Sequence, residues 1–449
     1  MMKTPIFDFV REYAAEGQAR FHMPGHKGQI ALGCEPWDIT EIDGADVLYD
    51  AHGIIEESEE NASSLFKTAH SYYSTEGSSL CIKAMLALVT EGRSADRPLI
   101  LAARNAHRAF VYACALLDLD VEWLMPRSVG HLCSCEISAE QVEDAIARAD
   151  RMPSAVYLTS PDYLGQIADV EGIARVCHAH RVPLLVDNAH GAYLKFLAED
   201  RHPITLGADL CCDSAHKTLP VLTGGAYLHV SKRAEHYCAA ARRMLSIFAS
   251  TSPSYLILQS LDLCNRYLAE EFSQVLADCV RSVEHVREQA EQNGFVFDLS
   301  EPLKLVLHAT DYGYTGEELA EHVRGYGVEA EMADGEYLVL MASPQNSPRD
   351  FLRLNVALSN LKIREALELP EEGTTARDHE RVCTVREAVL LCRQERIAAA
   401  DSAGRVCASP TVSCPPAVPI VMCGERITAE DVARFERYGI DEVDVIVEE

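Results

Sequence analysis

The sequence predicts an α/β fold: a mostly parallel seven-stranded sheet covered by helices, then a smaller α+β unit and a small C-terminal unit. Three observations predict it. Seven short apolar, β-rich runs recur between residues 71 and 230, segments of helical spacing lie between most of them, and the pattern changes after about residue 265. Strands that alternate with helices make parallel sheets buried on both faces, because each crossover lays a helix over the sheet. With 449 residues and 48% hydrophobic content, the chain can bury more than one core.

Residues 1–61 are expected to form an N-terminal arm. Its stretch EIDGADVLYDAHGIIEESEE (41–60) carries eight carboxylates and no Lys or Arg, which predicts a solvated face. Residues 62–265 form the large domain, with strands at 71–73, 99–101, 121–124, 155–158, 184–186, 210–212 and 226–230. Helical spacing at 80–89, 142–149 and 172–180 supplies crossovers. Residues 266–369 form the α+β unit: a long helix over 268–292, a strand at 304–308, a helix opening at Thr315 and a strand at 337–341. Glu318, three residues after Thr315, completes a capping box at that helix start. The run PEEGTTARDHE from Pro370 is a candidate linker, and residues 370–449 form the C-terminal unit.

Charge narrows the function. Forty Lys+Arg against 69 Asp+Glu give a formal net charge of −29, which argues against nucleic acid or an anionic membrane as partner and suits a small cationic molecule. The first 20 residues lack a basic segment followed by an apolar run, and no stretch approaches the ~20 apolar residues of a spanning helix. A cytoplasmic protein is expected. The 16 cysteines are scattered without a CxxC pair, so reduced, packed thiols are expected and no metal centre.

In parallel sheets, chemistry gathers at the carboxyl ends of the strands. The strand at 184–186 runs into Asp187-Asn188-Ala189-His190, and the strand at 210–212 is followed by Ser214-Ala215-His216-Lys217-Thr218. A carboxylate and a lysine at neighbouring strand ends suit pyridoxal phosphate (PLP): the amine links to the cofactor aldehyde, and the carboxylate keeps the pyridine nitrogen protonated. Upstream, Ser74-Thr75-Glu76-Gly77-Ser78-Ser79 follows one strand and opens a helix, so Gly77, Ser78 and Ser79 could hold a phosphate at the helix N-terminus. His107, after the next strand, could stack on a planar ring. Singly, each has a plainer role: a buried Asp, a surface Lys, an N-cap, a structural His. Their order, each just past a strand, favours the cofactor.

With these motifs in place, the chain resembles the fold type I PLP-dependent ornithine/lysine/arginine decarboxylases, in their short bacterial form. The resemblance rests on FHMPGHKGQ (21–29), DITEIDGADVLYDAHG (38–53), RNAHRA (104–109), TSPDYLGQIADVEGIA (159–174), VDNAHGAY (186–193), DSAHKTLPVLTGGAYLHV (213–230), STSPSY (250–255), YTGEELA (314–320) and CPPAVPIVMCGERI (414–427). It implies an aspartate-aminotransferase-like fold and decarboxylation of a basic L-amino acid to a polyamine-type amine and CO₂. By position, it makes Lys217 the lysine joined to the cofactor, Asp187 the pyridine partner and His107 the stacking ring. Ser78, Ser79, Ser214 and His216 would hold the phosphate, His190 would lie beside the ring, and Lys217 or His216 would return a proton. The family's sites lie between subunits, so a homodimer or higher homo-oligomer is implied. The His22–Gly28 loop and residues 252–255 would then reach a neighbour's cofactor.

Some positions depart from the family pattern. Asn188 stands where the family usually has Glu, Glu76 where it has Asn, Asp213 and Ala215 where it has Gln and Thr, and Asp162 where it has Thr. A carboxylate at 76 would oppose a phosphate if it pointed inward, so it is expected to point away. Two rivals remain at this level. One is another PLP reaction, such as transamination with Arg353 as carboxylate clamp, or retro-aldol cleavage. The other is a PLP-binding subunit without catalysis.

Overall fold

The computed structural model describes residues 1–29, 31–92, 97–126, 132–298, 300–368, 379–409 and 418–447. The candidate linker, apart from His379 and Glu380, and residues 414–417 of the last motif lie outside them.

All seven expected strands form: β1 (His70–Ser74), β2 (Leu99–Ala103), β3 (Asp120–Leu124), β4 (Ala155–Thr159), β5 (Leu184–Asp187), β6 (Leu210–Asp213) and β7 (Ala226–Val230). They join in one sheet of order β1-β7-β6-β5-β4-β2-β3. Strands β3, β2, β4, β5 and β6 are parallel, while β7 is antiparallel to both β6 and β1. The connection from β6 to β7 holds only the one-turn helix Ala215–Thr218, and with no long helix to cross the sheet the chain returns antiparallel. Helices Ser78–Thr90, Arg108–Leu117 and Cys238–Phe248 pack on one face, and Ala139–Arg148 and Val170–Ala179 on the other. Burial on both sides explains why the strands read as continuous apolar runs.

The acidic arm is only partly solvated. Helix Ile54–Phe66 buries Glu59 completely, where it accepts the Tyr73 N–H at 2.8 Å and pairs with Arg242 at 2.7 Å. Asp46 accepts the backbone N–H groups of Val47, His52, Gly53 and Ile55. These carboxylates organise backbone at a turn and a helix start, a use that a charge count does not distinguish from solvation.

The long helix expected over 268–292 forms as Phe272–Gln292, and its first residues belong instead to the preceding helix Tyr255–Glu270, with Glu271 at φ −129°, ψ −30° between the two. The bend lets Leu268 and Phe272 enter the core beneath the arm, while Val283, Val286 and Ala290 enter the core of the small sheet. That antiparallel sheet joins β8 (Lys304–His308), β9 (Met332–Ala333) and β10 (Tyr337–Met341) in the order β8-β10-β9. Thr315 and Glu318 make the expected capping box on helix Gly316–Arg324.

At the C-terminal end, β11 (Gln394–Ala398) pairs with β12 (Glu442–Ile446). Side chains of this region join both cores of the large sheet: Val385 and Met422 on one face, Ile420, Phe435 and Val443 on the other. A buried bidentate pair, Arg104 with Glu425 at 2.9 and 2.6 Å, ties it to the loop that carries His107. Among the described residues, no helix is long and apolar enough to cross a membrane.

Candidate active site

The turns that follow β5 and β6 bring His190 and Lys217 together. Lys217 Nζ lies 3.0 Å from His190 Nε2. Burial, reinforced by the ammonium groups of Lys304 and Lys217, pushes the His190 imidazole well below its ordinary range, so the ring is neutral and accepts from Lys217. Its proton then sits on Nδ1, a buried atom without a hydrogen-bond partner among the described residues. Tyr163 packs edge-on against the ring at 5.1 Å.

Asp187 is the last residue of β5 and is buried. Its carboxylate accepts from Tyr157 Oη at 3.2 Å and from the Ala189 N–H at 3.2 Å, with the Cys212 thiol at 3.5 Å. Held from both strands, it has little freedom to turn.

Gly77, at φ +72°, precedes helix Ser78–Thr90, a backbone geometry that favours glycine. Its N–H donates to Gly224 O at 2.7 Å, and a side chain on Gly224 would come within 2.9 Å of Thr75 O, so only glycine permits this approach. The two loops thereby bring Ser78 and Ser214 together, Oγ to Oγ at 2.8 Å, with Ser79 next along the helix. Glu76 is exposed and its Oε1 accepts the Ser250 N–H at 2.7 Å. The carboxylate is thus occupied outside the serine pair.

His107 caps helix Arg108–Leu117, with Nδ1 accepting the Ala109 N–H at 3.1 Å. Burial lowers its pKa, and Lys217 adds to this against the opposing pull of Asp187. A neutral ring results, able to stack on a planar cofactor. His216 has Nδ1 3.1 Å from Gly225 O, and burial lowers its pKa against that hydrogen bond. Arg353 lies on helix Pro348–Ser359 in the small unit, its guanidinium beside Gly327. Tyr255 is buried in its own chain, its hydroxyl on the carbonyls of Ala45 and Asp46, and Ser254 caps the following helix.

Two residues escaped the sequence reading. Lys304, completely buried at the start of β8, donates to the carbonyls of Asp162 at 3.1 Å and Tyr163 at 3.2 Å, locking the small unit to the loop beside His190. A lysine at the head of an apolar run reads as a solvent-facing strand end, so no signal marked it. Asp162, noted only as a departure, is buried, and burial pushes its carboxyl up to about 6 against the Gln166 N–H and Lys304.

That shift has a testable sign. A carboxyl raised in the folded state from about 3.8 to about 6 contributes stability below pH 3.8 that is lost as pH rises through 6, on the order of 3 kcal/mol in all. Asp162→Asn does not titrate. Chemical denaturation of both proteins across this window should show the wild type losing ground to the variant up to about pH 6, then a constant difference. A pH-independent difference would remove the raised carboxyl.

The residues fit PLP on structural grounds. The buried His190 Nδ1 lacks a partner among the described residues, paired serine hydroxyls stand at a helix N-terminus, and a fixed carboxylate, Asp187, and a lysine, Lys217, both act on the His107 ring. Lys217, Asp187, His107, Ser78, Ser79, Ser214 and His216 could hold it.

Comparison with known proteins agrees. A family model described as "Orn/Lys/Arg decarboxylase, major domain" matches residues 4–342. Among curated proteins, the uncharacterized protein YaaO of Bacillus subtilis is 29% identical over 97% of this chain and 94% of its own length. An arginine decarboxylase of the same organism is 26% identical over 96% of this chain and 92% of its own length. The crystal structure of the Francisella novicida lysine decarboxylase LdcF superposes with a TM-score of 0.80 at 17% identity, covering 99% of this chain and 81% of its own. That likeness establishes the fold, fold type I. The family match runs from the arm through the small sheet, and on that ground the chain belongs to the Orn/Lys/Arg decarboxylases, PLP-dependent carboxy-lyases.

Proposed function

We propose that this enzyme decarboxylates a basic L-amino acid, arginine, lysine or ornithine, to the corresponding amine and CO₂. The observation that carries the reading is the contact of Lys217 Nζ with a neutral His190 at 3.0 Å, on the strand end next to the one that carries Asp187. When bound, PLP supplies an electron sink for the bond to the departing carboxylate. Asp187 would hold a proton at the pyridine nitrogen, Ser78, Ser79, Ser214 and His216 would anchor the phosphate, and Lys217 would hold the aldehyde. Lys217 Nζ, in contact with His190 Nε2, would also hold a proton that could be returned to the substrate Cα. The net charge of −29 draws a cationic substrate inward.

Arginine is the first substrate to test, because the relative of that name matches over nearly its whole length. The same reading takes the chain as an arm (1–61), a large domain (62–265), a small domain (266–369) and a C-terminal unit (370–449), acting in the cytoplasm. It also takes the protein as at least a homodimer. The exposed Phe21 (97%), Met23 (64%) and Leu32 (89%) around the 22–28 loop support this, since apolar groups gathered on one surface mark contacts.

The test is CO₂ release from carboxyl-labelled arginine, lysine and ornithine, each supplied alone to the PLP-loaded protein. Release from one of them names the substrate; release from none overturns the reading.

A further inference from the structure

Asp213 ends β6, one residue before Ser214, and is fully buried. Four donors converge on its carboxylate. His202 Nε2 at 3.0 Å and His229 Nε2 at 3.1 Å reach Oδ2, while Asn188 Nδ2 at 2.7 Å and the Cys211 thiol at 3.7 Å reach Oδ1. His202, Cys211 and Asp213 are close enough to suggest a metal site. The second nitrogen of His202 argues otherwise: Nδ1 accepts the Ile204 N–H at 3.3 Å, so Nε2, where a metal would have to bind, is the nitrogen that donates to Asp213. The cluster is a hydrogen-bond network around an anion. Burial would raise the Asp213 carboxyl, but the two imidazoles overcome this and hold it well below the usual carboxylate range.

The connection that matters runs to Asn188, which is also fully buried. Register pairing of β5 with β6 ends at Asp187 and Cys212. Beyond that point one chain continues to His190 and the other to Lys217. The Asn188 N–H donates to Cys212 O at 2.9 Å, its carbonyl accepts the Gly191 N–H at 2.8 Å, and its side chain reaches across to Asp213. The turn folds so closely over this side chain that a Cβ on Gly191 would lie 2.0 Å from Asn188 Oδ1.

We propose that Asp213 is a positioning residue: through Asn188 it clamps the two strand ends that carry Asp187–His190 and Ser214–Lys217, and so sets the placement of the lysine relative to the ring partner. The residues at 188 and 213 then act as one pair, an amide donor past β5 facing a carboxylate acceptor at the end of β6. Asn188→Asp alone sets carboxylate against carboxylate, and Asp213→Asn alone removes the anion that the two imidazoles hold and makes the Asn188 amide turn to keep a bond. Asn188→Asp with Asp213→Asn restores a matched pair.

The inference rests on the proposed function only for the substrate used in its kinetic readout. The experiment compares PLP-loaded wild type, both single variants and the double variant by kcat and KM for CO₂ release, by visible circular dichroism of the bound cofactor, and by thermal unfolding. Each single variant is expected to lose on the order of 10–100-fold in kcat, with KM little changed and an altered dichroism band. The double variant should recover to within about threefold and regain the band, with rescue counted as non-additivity. Recovery of soluble, cofactor-binding protein in the double variant, should a single variant fail to fold, also supports the clamp. Single variants that lower only the melting temperature, or a double variant whose losses simply multiply, overturn it. If none of the three amino acids is decarboxylated, the dichroism band still decides the clamp while the proposed function fails separately.

Discussion

Lys217→Ala is expected to lose turnover by about 10³-fold or more and, with it, the visible absorbance of the lysine-linked cofactor. The two losses belong together because one atom is involved in both. Lys217 Nζ, on the one-turn helix after β6, meets His190, and in the proposed role alanine removes both the group that bonds the aldehyde and the group that carries the proton. The fold should survive, since Lys217 is only half-buried and its backbone N–H, which bonds Ser214 O, is unaltered. Absorbance spectra of the PLP-loaded variant and wild type, with CO₂ release in parallel, check this. A variant that keeps the wild-type spectrum would move the cofactor link to another residue.

What the sequence showed and what it hid follow from the range of the interactions. The strands were legible because each is a short apolar run bounded by turns, and the cofactor motifs were legible because parallel sheets place chemistry just past such runs. The return of β7 against β6 was not, since it depends on how the chain crosses the sheet. Nor was the break at Glu271, where no Gly or Pro interrupts the helical pattern. Within the site, Asp187, Lys217 and His107 stood out by residue type and position. The contacts that hold them did not. Arg104 and Glu425 lie 321 residues apart and Lys304 and Asp162 142 apart, and no local spacing encodes such pairs. Asn188 and Asp213 were visible only as two separate oddities, because their 2.7 Å bond joins neighbouring strands.

Asp187→Asn gives the sharper view of how the site works. Alanine at this position would remove the charge and also free Tyr157 Oη and the Ala189 N–H, so a loss could be read as damage to the end of β5. Asparagine keeps the size and an acceptor for one of those donors but cannot hold a proton on a pyridine nitrogen as a carboxylate does. Both variants are therefore expected to lose about 10²–10³-fold in kcat, the scale on which one preorganised charged or hydrogen-bonding group acts in a buried site. The asparagine variant should stay close to wild type in thermal unfolding. Near-normal turnover in Asp187→Asn would mean that the charge does not support the reaction and that Asp187 serves the fold alone. Equal kinetic loss with unequal stability would instead separate the two duties of this residue. Tyr157 and Ala189 fix where the carboxylate points, and in the proposed role its negative charge is what lets the ring take electrons.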